Sequence, residues 1–475
     1  MLLAFSLVCD WEPQLAPTKT NLSVLPVGRV YPQGEVSSLA RFLDNALVVG
    51  LCVLLAFAVL AFGATEYWAM CVLQVSSAVL VLIWAAREAA DHRISVSLNP
   101  LFIPLSLLAV VVAVQLGLPR TEYWYGTWVK ALQWACYGML FFVSTQALRG
   151  ADRLKHVGLF LAGFGFLVAL FAIIQEGTST DKIYWMFPSD SGGFYGPYPN
   201  HAHYAGLMEM LFPIPLVLAL SRLYKSHTKL LLFFSALVIA SSIFLSRSFG
   251  GILSFVGELV VLAILLLKHR SSHRGWLSIL LLLVTLCMFL AVLQPTALQE
   301  RMATASTEEG RAEVVSRLWM VRDSIPMIAK RPLLGYGLGS FVEVFPLFRK
   351  FYTNYTVNAA HNDYVQVLVE TGTVGFGLIL IFIFLLYKEG TRNLIDWQDD
   401  YDGSLVLAAL VGCSGVLIHS LCDFNLQVPA NAAFFFVLAG IVAGRQAPNG
   451  SFMRKRERTV SEGARWWHRA YSVEI

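Results

Sequence analysis

The feature that most constrains this 475-residue sequence is a series of apolar runs, each long enough to cross a lipid bilayer. A hydrocarbon core about 30 Å thick requires roughly 20 mostly apolar helical residues, because the backbone groups must be hydrogen-bonded within the segment. The composition agrees: 57% of the residues are hydrophobic, 14% are charged and the mean hydropathy is +0.63. Soluble domains carry about a quarter charged residues. The sequence therefore predicts an all-α, polytopic integral membrane protein.

About twelve such runs are present, and they divide the chain into three parts. We predict an N-terminal cytoplasmic segment over 1–42, a membrane domain over 43–445 and a basic cytoplasmic tail over 446–475. The predicted spans cover residues 43–64, 67–86, 100–118, 131–148, 156–175, 204–221, 229–246, 250–268, 275–293, 372–387, 403–421 and 429–445.

The basic residues of the short loops predict the orientation. With a cytoplasmic amino terminus, thirteen Lys and Arg residues lie in cytoplasmic loops and four lie in the short loops on the opposite side. The thirteen are Arg87, Arg93, Arg149, Arg153, Lys155, Arg222, Lys225, Lys229, Lys268, Arg270, Arg274, Lys388 and Arg392, and the four are Arg120, Lys130, Lys182 and Arg247. Cytoplasmic loops carry the excess of basic residues in membrane proteins, so this bias favours the stated topology.

Two outward loops, 176–203 and 294–371, are longer than the roughly 12–15 residues above which loops tend to be functional or disordered. Apolar residues recur at helical spacing between Val314 and Ile328 of the second loop, which predicts an amphipathic helix. Pro332 and the glycines that follow it predict a tight turn. We therefore predict a large, partly helical periplasmic loop between spans 9 and 10.

Arginines on the outer side are the first candidates for chemistry. Arg247 opposes the positive-inside bias, and Arg311, Arg317 and Arg322 lie in the predicted helix of the long loop. Guanidinium groups suit bidentate binding of phosphate, so the cluster fits a lipid-linked diphosphate at the membrane surface. The alternative is ordinary: an interfacial arginine that reaches toward head groups, or a solvated helix face.

His361 is the second candidate, because it lies in the segment Ala360-His361-Asn362-Asp363-Tyr364 just before the tenth span. Histidine is the usual general base near neutral pH. Asp363 and Glu370 are near enough in sequence to orient its ring. A single interfacial histidine also fits a structural role.

Two further polar groups lie at the outer ends of spans. One is the segment from Asn200 to Ala205, with His203, and the other comprises His419, Asp423 and Asn425. Ionisable residues at the edge of a span are candidates for function, although they equally fit hydrogen bonds that hold the bundle together.

Several motifs are absent from the sequence. It has no H-E-x-x-H pair, no cysteine pairs with zinc spacing, no Walker lysine motif and no dinucleotide glycine fingerprint. We therefore expect no metal, no cofactor and no nucleotide chemistry, and instead a donor that carries its own activated leaving group.

Taken together, these motifs resemble the O-antigen ligase and O-antigen polymerase superfamily of bacterial membrane glycosyltransferases over about residues 190–440. The most specific part is His361-Asn362-Asp363-Tyr364 followed by Glu370, Gly372 and Gly375. Ala202 stands where a second asparagine is expected. The other matching parts are Ser246-Arg247, the segment Asn200 to Gly206, Arg317 with the segment Pro332 to Phe341, His419-Ser420 with Asp423-Phe424-Asn425, and Pro429-Ala430-Asn431.

The resemblance implies a glycosyltransferase of the bacterial inner membrane whose active site faces the periplasm. Its donor is a glycan on undecaprenyl diphosphate, its acceptor is lipid A-core or another glycan, and its other partners are membrane lipids rather than nucleic acid. It implies His361 as the general base and Arg247, Arg317 and Arg311 as ligands of the diphosphate. The supporting residues that it implies are Asn200, His203, Asn362, Tyr364, Glu370, His419 and Asp423.

Three alternatives stay open at this point. A polymerase that joins repeat units and a protein O-glycosyltransferase share the chemistry and differ in acceptor. A transporter or lipid flippase belongs to another class, and it would need the isolated acids Glu209 and Glu258 within apolar runs.

Overall fold

The computed structural model describes residues 37–91, 96–118, 121–179, 181–188, 193–268, 308–353, 356–394 and 397–444, and over these ranges the fold is a helical bundle. The helices are α1 (Ser38–Leu60), α2 (Tyr67–Ala90), α3 (Phe102–Gly117), α4 (Trp124–Ala147), α5 (Ala151–Thr178), α6 (His201–Leu211), α7 (Pro213–Leu220), α8 (Ser226–Leu245), α9 (Phe249–Lys268), α10 (Glu308–Lys330), α11 (Phe341–Val344), α12 (Asp363–Arg392), α13 (Tyr401–His419) and α14 (Pro429–Gly444). Two short strands, β1 (Lys182–Ile183) and β2 (Phe187–Pro188), pair antiparallel in the loop after α5.

Eight helical segments of the described ranges are long and apolar enough to cross a membrane, with α6 and α7 together forming one of them. The apolar helices α3 and α14 are shorter. This confirms a mostly helical protein with several candidate spans. The predicted ninth span, 275–293, lies outside the described residues, as do 1–36 and 445–475.

The centre of the bundle is formed by α6, α7, α13 and α14, in which nearly every residue is buried. Helices α1 and α2 lie at the periphery and keep exposed apolar faces. Since the central helices are surrounded by other helices, their polar side chains face protein rather than lipid. This placement lets ionisable groups sit within apolar segments.

The predicted tenth span begins earlier than its apolar run suggests. Helix α12 begins at Asp363 rather than near residue 372, and it contains a break at Gly372, whose φ is +65°. A Cβ at Gly372 would lie 2.3 Å from the carbonyl carbon of Leu333. Only glycine combines this backbone conformation with so close an approach. As a result, the residues after His361 are helical.

Residues 308–353 and 356–362 form a folded layer at the end of the bundle where α12 begins. Its own buried cluster has Met320 and Met327 on α10 at its centre, packed with aromatic residues from the following segment. Exposed aromatic side chains surround the same end of the bundle at the starts of α2 and α4, as expected at a membrane–water boundary. They are Tyr67, Trp68, Trp124, Tyr125 and Trp128.

Candidate active site

The site is built where the beginning of α12 meets the loop between α13 and α14. The Asn362 side chain caps α12 by accepting a hydrogen bond from the backbone N–H of Val365 at 3.0 Å, and its amide donates to the carbonyl of Leu421 at 2.7 Å. The Tyr364 hydroxyl donates to the carbonyl of Leu417 at 2.8 Å. Both side chains therefore fix the helix start against the end of α13, which is a positioning role.

Asp363 connects the same two segments from the other side of the helix start. Its Oδ2 accepts hydrogen bonds from the Ser420 hydroxyl at 2.8 Å and from the Leu426 backbone N–H at 3.0 Å. Its backbone N–H donates to the carbonyl of Ser420 at 3.0 Å. The expectation that Asp363 orients the ring of His361 was therefore wrong, because its carboxylate is engaged by the loop.

Asp423 is the carboxylate that faces His361. Its Oδ1 lies 3.4 Å from His361 Nδ1. The aromatic ring of Phe424 packs edge-on between His361 and His203, with centroid distances of 4.8 and 4.7 Å. His361 has a φ of +48°, an uncommon value for a residue with a side chain. Such strained conformations cluster at functional sites.

The Asp423 carboxyl is almost fully buried, and burial by itself would raise its pKa. The contact with His361 and the positive charges of His203 and Arg317 outweigh burial, so the pKa of Asp423 lies well below its ordinary value. The carboxylate is consequently ionised at neutral pH, and its Oδ1 faces Nδ1 of the His361 ring.

Arg317 reaches the site from α10. Its Nη1 donates a hydrogen bond to the carbonyl of Cys422 at 2.6 Å and lies 3.9 Å from Asp423 Oδ2. Arg322 on the same helix is bonded to its neighbour Asp323 at 2.8 Å and is half exposed, which fits a solvated face. The side chain of Arg311, the third predicted diphosphate ligand, lies outside the described part of the chain.

Arg247 lies in the turn between α8 and α9, with a φ of +62° and an exposed side chain. No carboxylate of the described residues lies within ion-pair distance of it. Three residues later, a Cβ at Gly250 would lie 2.7 Å from His419 Nε2 and 3.3 Å from Cys422 Sγ. The beginning of α9 thus packs against the loop that Arg317 contacts, but no described contact joins the Arg247 side chain to His361.

Glu370 does not touch His361; it holds the glycine-rich segment after α10. Its Oε2 accepts a hydrogen bond from the Gly339 N–H at 2.8 Å, and its Oε1 accepts one from Gln366 at 3.2 Å. Gly335, with a φ of +66°, lies so close to α12 that a Cβ would be 2.4 Å from the carbonyl oxygen of Val369. The expectation that Glu370 orients the His361 ring was therefore wrong as well. Glu370 instead holds the glycine-rich segment against α12.

Asn200 and His203 belong to the wall of the site on α6. The Asn200 side chain caps α6 by accepting from the Ala202 N–H at 2.8 Å. The His203 carbonyl accepts a hydrogen bond from Asn431 at 2.8 Å, which joins α6 to α14. His203 therefore contacts Phe424, in the loop between α13 and α14, through its ring, and it contacts α14 through its backbone carbonyl.

His419 forms a buried pair with Glu209, since its Nδ1 lies 2.9 Å from Glu209 Oε1 and neither side chain is exposed. Glu258 is buried nearby, and neither of its carboxyl oxygens has a hydrogen-bond partner within the described ranges. The pair anchors the end of α13, three residues before Cys422. His419 is thus buried beneath the loop that bears Asp423, on the side that faces α6.

Three features were missed from the sequence: the Cys422 carbonyl as the partner of Arg317, the Phe424 ring between two histidines, and Glu209 as the partner of His419. Nothing in the sequence signals a backbone carbonyl contact. Glu209 and His419 are both ionisable residues within apolar segments, and such residues usually pair with one another. That rule identifies the class of partner but not the residue.

Within the described ranges, no three His, Cys, Asp or Glu side chains come together as a potential metal site. The groups that do come together are the imidazole of His361 before α12, the ionised carboxylate of Asp423 in the loop after α13, and the guanidinium of Arg317 on α10. An imidazole held by a carboxylate can take a proton, and a guanidinium beside it can bind an oxyanion.

The comparison with known families gives one match. Residues 234–380 match the family model described as O-antigen ligase. The matched range runs from α8 into α12 and includes Arg247, Arg317 and His361, and it confirms the resemblance predicted from the motifs. The comparison with curated proteins gives no match.

Proposed function

Because residues 234–380 match the O-antigen ligase family model, we propose that the protein is an inverting glycosyltransferase of the O-antigen ligase type. It moves a glycan from undecaprenyl diphosphate to a hydroxyl of lipid A-core at the periplasmic face of the bacterial inner membrane. The observation that carries the proposal is the contact of Arg317, Asp423 and His361 at the outward end of the bundle.

The reaction follows from that arrangement. The acceptor oxygen forms a bond with the anomeric carbon while the bond from that carbon to the diphosphate oxygen breaks, and the diphosphate leaves with the electron pair. Since Nδ1 of His361 faces Asp423, Nε2 is the nitrogen left to take the acceptor proton. Asp423 stabilises the imidazolium that forms. Attack from the side opposite the diphosphate gives inversion.

The arginines supply charge to the leaving group. Negative charge grows on the diphosphate as the glycosidic bond breaks, and a donor fixed at that position stabilises the transition state more than the ground state. The hydrogen bond from Arg317 to the Cys422 carbonyl, next to Asp423, supports this role for Arg317. We assign Arg247 and Arg311 to the same diphosphate as further ligands.

An apolar cavity of about 70 Å³ supports a lipid-linked substrate. Its polar end is lined by Asp363, Tyr364, Ser420 and Gln427, next to His361, and the rest of its wall comes from apolar residues of α3, α4, α12 and α14. A cavity of this size has room for a few methylene groups, so it fits a short stretch of an acyl or isoprenoid chain that approaches from the bilayer.

The test is a transfer assay with purified protein in liposomes. The donor is a glycan on undecaprenyl diphosphate, and lipid A-core, a second lipid-linked glycan and a protein acceptor are supplied in separate reactions. We expect product with lipid A-core. Product with the second lipid-linked glycan alone would instead assign a polymerase, and product with the protein alone a protein O-glycosyltransferase.

The same assay tests the residues. His361→Ala is expected to lower transfer by at least about 100-fold, because general base catalysis contributes about 10²–10⁴-fold. His227→Ala, at an exposed histidine at the start of α8, is the control and should keep full activity. Unchanged transfer by His361→Ala would remove His361 from the mechanism.

A transporter would behave differently. It would need the buried acid Glu258, so Glu258→Gln would abolish function while His361→Ala would be tolerated. Glycan transfer in detergent, where no transmembrane gradient exists, would contradict transport as the primary activity.

A further inference from the structure

A second cluster of arginines lies at the end of the bundle opposite His361. The end of α4 lies beside the end of α14, since a Cβ at Gly444 would contact the backbone of Thr145 and Leu148. Helix α14 begins at Pro429, next to the active-site loop, so its other end marks the opposite face. This is the face that the basic loops predict to be cytoplasmic.

The cluster surrounds a cavity of about 150 Å³ between α1, α2, α4 and α5. A cavity of that size holds several waters, so it has room for a phosphate-sized group. Its lining includes three arginines and two carboxylates, which gives a formal excess of one positive charge. The charged lining residues are Arg87, Arg149, Arg153, Asp44 and Glu88.

Two of the arginines are neutralised by the carboxylates. Arg87 lies 3.2 Å from Asp44 and 2.6 Å from Glu88, and Arg153 lies 2.8 Å from the other oxygen of Asp44. These pairs hold the walls of the cavity together. Asp91 lies 3.9 Å from Arg87 as well, and none of these ion pairs includes the third arginine, Arg149.

Arg149 differs from the other two arginines because it is held by neutral groups. Its Nε donates to the carbonyl of Thr145 at 2.7 Å and its Nη2 to Gln146 Oε1 at 2.7 Å, which fixes the guanidinium against α4. No described carboxylate lies within ion-pair distance of it. Burial lowers the pKa of Arg149, with the charge of Glu88 partly offsetting the effect. An arginine nevertheless stays protonated at neutral pH, so a desolvated, immobilised cation faces the cavity.

Apolar surface adjoins the cavity on the lipid side. Leu39 and Phe42 on the first turns of α1 are more than half exposed, just before Asp44, and Trp84 lines the cavity itself. A phosphate group in the cavity would therefore have a place beside it for acyl chains. Basic pockets between membrane helices are known to bind anionic lipid head groups.

We propose that this cavity, called here the Arg149 pocket, binds a singly charged phosphate group through the Arg149 guanidinium. Two sources carry that group without a cation attached to it: the head group of an anionic phospholipid such as phosphatidylglycerol, or free inorganic phosphate. The phosphate of phosphatidylcholine is neutralised by its own choline. The Arg149 pocket is separate from the glycan-transfer site. The proposal for this pocket does not depend on the glycosyltransferase function proposed above.

The experiment measures binding to the full-length protein in nanodiscs. One arm compares pure phosphatidylcholine with phosphatidylcholine containing phosphatidylglycerol, and a second adds inorganic phosphate to the pure phosphatidylcholine discs. The readouts are the lipids retained in native mass spectrometry and the midpoint of thermal unfolding. A response to phosphatidylglycerol alone identifies the lipid as the source, and a response to phosphate identifies the free ion.

The matched variants are Arg149→Gln and Arg222→Gln. Arg222 lies on the same face, where its N–H bonds the Gln398 carbonyl, and its exposed side chain pairs with Asp399. We expect Arg149→Gln to weaken binding about 10-fold or more, as for the loss of a charge-assisted hydrogen bond, and Arg222→Gln to leave it unchanged.

Arg149→Lys keeps the charge and guards against a folding defect, so it should retain part of the binding. Equal binding by the wild type and by Arg149→Gln, or no binding of either probe by the wild type, would overturn the proposal.

Discussion

The two ends of the bundle use arginine in different ways. On the face opposite His361, Arg87 and Arg153 share the carboxylate of Asp44, at 3.2 and 2.8 Å. At the His361 end, Arg317 approaches Asp423 only to 3.9 Å and makes its short bond to a backbone carbonyl. Arg247 at the same end has no described carboxylate within ion-pair distance.

This difference separates structural charge from charge available to a ligand. An arginine that is paired with carboxylates stabilises the packing of the helices. An anionic ligand beside such an arginine would be repelled by those carboxylates. Arg149 on the opposite face and Arg247 at the His361 end have no described carboxylate within ion-pair distance, so their charge is available to a ligand. Arg317 is assigned to the diphosphate because it contacts the loop beside His361.

Among the charged residues compared here, the largest expected effect is at Arg317. Arg317→Gln should lower kcat/KM for glycan transfer by about 10²–10³-fold, as for the loss of one fixed donor to a developing oxyanion. The control is Arg322→Gln on the same helix, whose guanidinium is half exposed and bonded to Asp323. It should stay within about threefold of wild type, and similar losses in both variants would mean that the helix as a whole is needed instead.

A smaller effect is expected at Asp423. Asp423→Asn removes the charge that stabilises the His361 imidazolium, and we expect transfer to fall by about 10- to 100-fold, or about 1.4–2.7 kcal/mol. Arg317 and His361 remain, so activity should not vanish. Full activity would show that the 3.4 Å contact between the two residues is not used in the reaction.

The pKa of Asp423 also predicts a pH dependence. Because this pKa is lowered in the folded protein, its stabilising effect is present above the ordinary pKa of an aspartate and is lost as the pH falls through the lowered value. Wild-type protein should therefore gain thermal stability relative to Asp423→Asn at pH 7, and the gain should shrink as the solution is made strongly acidic. A gain that grows on acidification would contradict the assignment.

The smallest expected effect is on stability at the opposite face. Asp44→Asn removes the shared partner of Arg87 and Arg153. We expect a loss of about 1–2 kcal/mol in the free energy of unfolding, with no change in transfer per folded molecule. The loss stays below that for a fully buried ion pair because both arginines are partly exposed. Asp399→Asn, which breaks an exposed pair with Arg222, should cost less than about 0.5 kcal/mol. Thermal unfolding measures both.

The helical membrane fold was predictable, and His361 could be singled out as a candidate base, because both depend on local sequence; the role of His361 stays a prediction. Long apolar runs predict spans by length, and the segment from His361 to Tyr364 is contiguous. The pairing of His361 with Asp423 was not predictable, since α12 and α13 separate the two residues in the chain and spacing does not reveal which loop returns to the site. The same holds for the Arg317 bond to Cys422.

The beginning of α12 shows why a boundary was misplaced. The apolar run predicted the tenth span from residue 372, whereas the helix begins at Asp363. In the structure Gly372 is a break within the helix, because the backbone of Leu333 occupies the space that a side chain would need. The glycine reflects a tertiary contact, which local sequence does not distinguish from a turn.

The most direct test of the account separates binding of the diphosphate from transfer. The Kd of undecaprenyl diphosphate should be measured for wild type, Arg317→Gln and His361→Ala, with transfer measured on the same preparations. The account predicts a Kd at least about 10-fold higher for Arg317→Gln, and for His361→Ala a Kd near wild type with transfer nearly abolished. A wild-type Kd in Arg317→Gln, or wild-type transfer in His361→Ala, would contradict it.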